Sequence, residues 1–366
     1  MNRKLFSLLL ICALLCAILA GCKKESPEPA AAEQTTAEAE SAAPTDTEPK
    51  PSEPSEPVTE PDVEESTEPP EPVDPERESF YHYFWELDPE TTDAWLEAHP
   101  EYFENGYDGI SINEAWLGDK GLDLYTTLGH QVLAIDTAEQ VLIVRATVGG
   151  SRATMAIAKD PSRLHLYASN RLGSVGQKIG SIASSHNGLI ALTGSGFDDP
   201  NFAGNGGTIA GMCRADGKDY GTPMGWNYFR MELAENNWFQ ITRAYYPPMT
   251  DTTDAMEFEP ALLIDGKLQS PGIWTGENPR ACLGQTRRGE ILMFVVEGRF
   301  RDSPGCSVLD CAKFMQQYGG WTAMNMDGGT TAILWYRGQP ITRCSNTGTP
   351  DGRYLPNAWV YVKKGG

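Results

Sequence analysis

The chain has too little positive charge to present a basic surface. Its 366 residues carry 29 Lys and Arg against 50 Asp and Glu, a formal net charge of −21. Nucleic-acid binders usually show a basic face, so that class is not expected. Histidine is scarce: all five residues precede Cys213, the first cysteine of the region expected to fold, and none has a cysteine-protease context. There is no CxxC and no Cys/His metal spacing. No metal and no cofactor is therefore expected. The apolar stretches are too short to span a bilayer, and no internal repeat is present. Glu25 to Glu78 contains no aromatic residue. Such a segment cannot bury enough apolar surface to offset its ordering entropy.

The N-terminus is informative. Asn2, Arg3 and Lys4 precede a nearly all-apolar stretch, Leu5 to Leu19, which ends Leu19-Ala20-Gly21-Cys22. A basic start, a short apolar run and small residues form an export signal. Its end is similar to a bacterial lipoprotein cleavage box, in which the cysteine becomes the lipidated first residue. Two or three acyl chains on Cys22 would hold the protein on a membrane. The next segment is acidic, with 18 Asp and Glu against Lys50 and Arg77 between Glu25 and Glu78. Charge repulsion and frequent proline should keep it extended. The expected organisation is a signal peptide at 1–21, lipidated Cys22 and a disordered tether at 22–78, a small helical segment at 79–125, and the main domain at 126–366. This places the protein on the extracellular face of the bacterial cytoplasmic membrane, reaching into the cell wall.

In the helical segment, Asp88-Pro89-Glu90 reads as a helix start, with Trp95, Leu96 and His99 along one face and Pro100 as a stop. Beyond it, short β-type runs recur: Gln131 to Ile135, Val141 to Thr147, Ala153 to Ala158, Leu189 to Thr193, Ala261 to Ile264, Ile291 to Val296, Thr322 to Met326, Thr331 to Tyr336 and Ala358 to Val362. One helix stands among them. Ser307 caps it, Asp310 completes a near capping box, and Val308, Leu309, Ala312 and Met315 fall on one face. The fold class is α+β: a strand-rich mixed sheet with a few helices, preceded by the small helical, aromatic segment and the disordered tether. Five cysteines fall in the folded region, an odd number, and their pairing is not readable.

Chemistry concentrates at strand ends. Trp321 to Gly338 delivers Asn325 and Asp327 to the end of an apolar run, followed by Gly328, Gly329, Thr330 and Thr331. Glycines let a ligand approach the main chain, and successive N–H groups can form a concave anion site. A tight Asp-Gly hairpin would use the same residues. Glu297, Gly298 and Arg299 end another strand, and a carboxylate beside a guanidinium can hold an anion, place an acid/base group, or form an edge salt bridge. Thr193-Gly194-Ser195-Gly196-Phe197-Asp198 forms a third such end, and Arg280 follows Asn278-Pro279.

The order of these features resembles the phosphodiester glycosidase family over about Gln131 to Lys363. Thr193 to Phe197 fits the family's Asn-Gly-Gly-Phe-Phe-like turn. Pro279-Arg280-Ala281-Cys282-Leu283-Gly284 fits its Pro-Arg-Thr-Ala-Ile-Gly-like box, and Glu297-Gly298-Arg299 its Asp-Gly-Arg. Asn325-Met326-Asp327-Gly328-Gly329-Thr330-Thr331 fits Asn-Leu-Asp-Gly-Gly-Gly-Ser, and Arg353 to Ala358 fits Arg-X-X-Pro-Asn-Ala. Thr193, Ser195, Glu297 and Thr330 depart from the pattern. The resemblance implies hydrolysis of a sugar-1-phosphodiester in wall, capsule or other extracellular glycan. It implies Asp327 as nucleophile or general base, with Glu297 or Asp198 as a second carboxylate. Arg280, Arg299, Gly328, Gly329 and Thr330 would hold the phosphate. Asn325, Thr193 and Asn357 would complete substrate binding. The alternative is a glycan-binding lipoprotein of the same fold without activity.

Overall fold

Alternation along the central strands shows why they read as continuous apolar runs. In Val141–Val148, Leu142 and Val144 join one core while Val141 and Ile143 join another. In Ile291–Val296, Leu292, Phe294 and Val296 face the first core, and Ile291, Met293 and Val295 the second. Successive side chains point to opposite faces, and both faces here are covered. A fully buried side chain of this size contributes about 1.5–3 kcal/mol.

The computed structural model describes residues 74–115, 122–225, 228–346 and 348–365. The expected signal peptide, Cys22 and nearly all of the expected tether lie outside the described residues. The strand-rich α+β class holds, with, among the described residues, three sheets and four α-helices. Helix α1 (Pro75–Tyr83) begins inside the stretch read as tether. Asp74 caps it, accepting from Glu76 N at 3.0 Å, and Pro75 opens it. Helix α2 (Pro89–Ala98) starts at the expected cap, with Asp88 accepting from Glu90 N at 3.0 Å. Phe80, Phe84, Trp95 and Leu96 pack into the first core, so the aromatic side chains dock these helices rather than stand in solvent.

The nine-stranded sheet contains, in spatial order, Val141–Val148, Ser151–Ala158, Ile291–Val296, Arg280–Thr286 and Gly320–Asn325 at its centre. One five-stranded sheet holds Leu334–Tyr336, Gly188–Thr193, Asn357–Val362 and Leu164–Ala168 in that order, with Gln339–Pro340 at its edge. The other is built around Phe229–Ala234, Thr252–Phe258 and Met212–Ala215. Helix α3 (Ile179–Ser185) lies on the sheet containing Gly188–Thr193, burying Ile179, Ile182 and Ala183. Helix α4 (Val308–Gln317) has both halves of the capping box, with Asp310 N donating to Ser307 Oγ at 3.2 Å and Ser307 N to Asp310 Oδ2 at 3.0 Å. Its buried face holds Val308, Cys311, Ala312, Phe314 and Met315, while Leu309 lies at the edge. The helix carries the chain from Ile291–Val296 to Gly320–Asn325. Arg280–Thr286 lies between these strands, antiparallel to both.

Candidate active site

Several strand ends meet at one rim. Gly188–Thr193, Thr252–Phe258, Ile291–Val296 and Gly320–Asn325 all end there, and Arg280–Thr286 begins there. The loops beyond them enclose a cleft of about 430 Å³. The Asp327 turn is not a hairpin, because Gly320–Asn325 and Leu334–Tyr336 belong to different sheets. It crosses from one sheet to the other, which brings it to the cleft. Asp327 N donates to Gly194 O at 3.1 Å and ties the turn to the end of Gly188–Thr193.

Asp327 lies on the floor. Its Oδ1 accepts from Gly328 N at 3.0 Å, and the nearby Thr331 hydroxyl donates to Gly328 O. Burial pushes the Asp327 pKa up to about 7, against the pull of Thr331, the Gly328 N–H and Arg353. The carboxyl is closely surrounded by protein, yet the residue keeps part of its surface open to the cleft. A carboxyl in this range can take or give a proton near neutral pH.

The glycine pair does not form the expected anion cradle. Gly329, at φ +64°, donates its N–H to Pro279 O at 3.0 Å, and Gly328 N is taken by Asp327. A Cβ on Gly328 would lie 2.9 Å from Pro279 O. The glycines instead press the turn against Pro279, at the entrance to Arg280–Thr286. Thr330 lines the cleft as expected.

The two arginines have different surroundings. Arg280 is buried. Its Nε donates to Cys306 O at 3.0 Å, and its Nη2 to Trp274 O at 3.0 Å and Gly276 O at 2.7 Å. It lines the cleft but chiefly braces the loop that carries Trp274. Arg299 is exposed, at φ +64°, and its only hydrogen-bonded side-chain partner among the described residues is Asn278 Oδ1, at 3.2 Å. Its guanidinium rests over Gly329, where a Cβ would meet Nη2 at 3.1 Å. A left-handed backbone at a residue other than glycine is strained, and such strain clusters at functional sites.

Neither carboxylate expected to partner Asp327 faces the cleft. Glu297 is 2% exposed and accepts from Arg343 N at 2.9 Å and Arg343 Nε at 2.5 Å. Its ion pair is formed with a distant residue, Arg343, rather than with Arg299 of the same run. Asp198 points to solvent. Its neighbour Asp199 lines the cleft, bound to Arg353, which holds its carboxyl below the usual range. Glu259, after Thr252–Phe258, also lines it, and burial raises its pKa against a hydrogen bond from Trp274. Sequence reasoning missed Asp199, Arg353 and Glu259 as site residues. The signals were present: Arg353 opens the last motif, Asp199 follows Asp198, and Glu259 is the polar residue at a strand end before Pro260.

Asn325 lines the cleft and steadies Glu259, donating from Nδ2 to Glu259 O at 2.9 Å. Thr193 and Asn357 stand behind it. The Thr193 hydroxyl donates to Thr331 O, and the Asn357 amide accepts from Ser195 N at 2.8 Å and donates to Ser195 Oγ at 2.9 Å. Both are fully buried and hold the loops that make the floor. Tyr228, Phe258 and Trp274 supply aromatic lining, and Phe202 stands 92% exposed at the cleft.

Residues 189–362 match the family model described as phosphodiester glycosidase. Among solved structures, the chain is similar to the catalytic domain of zebrafish N-acetylglucosamine-1-phosphodiester alpha-N-acetylglucosaminidase, auto-inhibited by its pro-peptide. Identity is 15%, with 61% of this chain and 82% of that chain covered and a TM-score of 0.49. It is also similar to a hypothetical protein from Synechocystis, at 13% identity, 63% coverage of each chain and a TM-score of 0.45. A protein from Burkholderia pseudomallei shows 13% identity, 59% and 76% coverage and a TM-score of 0.46. No curated protein matches the chain. The matched stretch spans the strand before Thr193, the Arg280 and Arg299 boxes, the Asp327 turn and the closing Asn357 strand: residues 189–362 form a domain that matches the phosphodiester glycosidase family model.

Proposed function

We propose that the protein hydrolyses a sugar-1-phosphodiester in an extracellular glycan, breaking the bond between the anomeric carbon and the phosphate oxygen. One observation carries this reading: a cleft-floor carboxyl that titrates near neutrality lies beside a turn on which an exposed guanidinium rests. The first suits proton transfer and the second suits a phosphate. Asp327, ionised, takes a proton from the attacking water as the anomeric carbon develops positive charge. Arg299 receives the phosphate oxygens. Phosphate leaves readily, so a strong acid is less needed than in ordinary glycosidases. Glu259, whose pKa is also raised, is placed to give the leaving oxygen a proton. Asp199 stays ionised beside Arg353 and orients it. Tyr228, Phe258 and Trp274 offer apolar faces for a sugar ring.

Thr193, one of the departures from the family pattern, braces the turn through Thr331 rather than lining the cleft. The reading includes a lipid anchor at Cys22 and a location outside the cytoplasmic membrane. Sugar-1-phosphodiesters offered as a panel should release free sugar and a phosphomonoester, detected by mass spectrometry. No release across the panel would overturn the reading. Cys22→Ala should abolish lipid labelling; a variant labelled like wild type would overturn the anchor.

A further inference from the structure

Cys306 and Cys311 flank the capping box of α4. Ser307 is the cap, so Cys306 precedes it and Cys311 is the fourth helical residue. At helix starts these two positions commonly hold apolar side chains that pack across the cap. Here they hold thiols, and the sulfurs are 3.3 Å apart. Both residues are buried. Sulfur is a weak donor and a weak acceptor, so the contact gains little as a hydrogen bond. The capping box explains why the pair meets: it fixes the entry of the chain into the helix and points both side chains inward.

We propose that Cys306 and Cys311 form a disulfide in the mature protein, and that this crosslink secures the wall behind the cleft arginines. Cys306 O accepts from Arg280 Nε at 3.0 Å. Cys306 N donates to Asn278 O at 3.1 Å, and Asn278 Oδ1 accepts from Arg299 Nη2 at 3.2 Å. The backbone of Cys306 thus supports Arg280 directly and Arg299 through Asn278. A disulfide would tie that backbone to the first turn of α4. The sulfurs must close to about 2.05 Å.

An external disulfide supplies the oxidising power. One cysteine thiolate attacks it, forming a mixed disulfide and releasing one external thiolate. The second cysteine attacks the protein sulfur of that bond and releases the other. The protein thiols lose two protons and two electrons, and the external disulfide becomes two thiols. The compartment expected from the export signal is one where disulfides persist. The Cys311 contact and burial push the Cys306 thiol up, and burial pushes Cys311 up. Folded thiols of this kind present little thiolate, so the exchange belongs to folding, before α4 docks.

The full mature chain, recovered after export, is unfolded in guanidinium with an alkylating agent and no reductant, then digested with trypsin. Both cysteines lie on the peptide from Asp302 to Lys313. That peptide should be unalkylated and lighter by two hydrogens than its dithiol form, while Cys213, Cys282 and Cys344 are alkylated. Alkylation of all five, or a bridge from Cys282 to Cys311, would overturn the proposal. Mapping after refolding with glutathione disulfide separates the chemistry from the compartment. Prior reduction should lower Tm by roughly 5 °C. That difference should vanish in Cys311→Ala; a wild-type Tm indifferent to reduction would overturn the securing role.

Discussion

Arg353 grips Asp199 with both terminal nitrogens, Nη1 to Oδ2 at 2.6 Å and Nη2 to Oδ1 at 2.7 Å. The same Nη2 donates to Gly204 O at 2.8 Å, so one guanidinium joins the last motif to the loop after Phe197. Lysine cannot reproduce such a fork. Arg353→Lys should therefore lower Tm at pH 7. Arg353 depresses the Asp199 pKa, so the stabilisation is present above the ordinary carboxylate value and is lost as pH falls through the lower folded value. Melting curves from pH 7 to pH 3 should show the gap between wild type and variant narrow below about pH 4.

Asp327→Asn should fold and lose nearly all hydrolysis. Retention of more than about a tenth of the rate, roughly 1.4 kcal/mol of barrier, would remove Asp327 from the chemistry. In wild type, kcat/KM should rise with pH through about 7, because the ionised form is the base. The stability effect has the opposite direction. A carboxyl whose folded pKa is raised binds its proton more tightly when folded, so stability falls as pH rises from the unfolded value towards about 7. Asp327→Asn should then melt above wild type at pH 8, with the difference shrinking at pH 5.

Arg280 and Arg299 should separate under the same substitution. Arg280→Lys removes bonds to backbone carbonyls of Trp274, Gly276 and Cys306, and should chiefly lower Tm. Arg299→Lys should leave Tm nearly unchanged. Its loss of a charge-assisted bond to phosphate, about 1.5–3 kcal/mol, should reduce kcat/KM about ten- to a hundredfold. Measuring both quantities on both variants tests the division.

Asn357→Ala should destabilise although the residue does not line the cleft. It would leave the buried Ser195 N–H and hydroxyl without their amide partner. An unsatisfied buried polar group costs about 1–3 kcal/mol. Chemical denaturation should show the loss, and an unchanged midpoint would contradict the bracing role.

The parts legible in the sequence were those with uniform periodicity or local capping chemistry. Ala261–Ile264 and Ile291–Val296 match their predicted bounds, and α2 and α4 start at the caps expected. Phe229–Ala234 and Thr252–Phe258 were missed. They bury Arg230, Glu232 and Glu257, and Arg230 Nη2 donates to Glu257 Oε1 at 2.6 Å inside the sheet. Charged residues along a strand look solvent-facing until a distant strand supplies the opposite charge. Helix α1 was hidden because its acidic first turn continues the Pro- and Glu-rich composition of the sequence before it. For the site, motif order located Asp327, Arg299 and Asn325. It could not show which neighbouring acid turns inward, since that depends on partners far along the chain: Glu297 goes to Arg343 and Asp199 to Arg353.

Gly329 sets a clearance. With hydrogen where other residues have a carbon, it lets the Arg299 guanidinium settle almost onto the main chain, and an added Cβ would already meet Nη2 at 3.1 Å. The height of the charge above the floor is thus governed by the thickness of a peptide plane. A methyl group there would push the guanidinium aside by a few tenths of an ångström and would sit on a left-handed backbone, φ +64°, that disfavours any side chain. Substitution at residue 329 would therefore disturb where the charge rests, even with every polar side chain of the cleft retained.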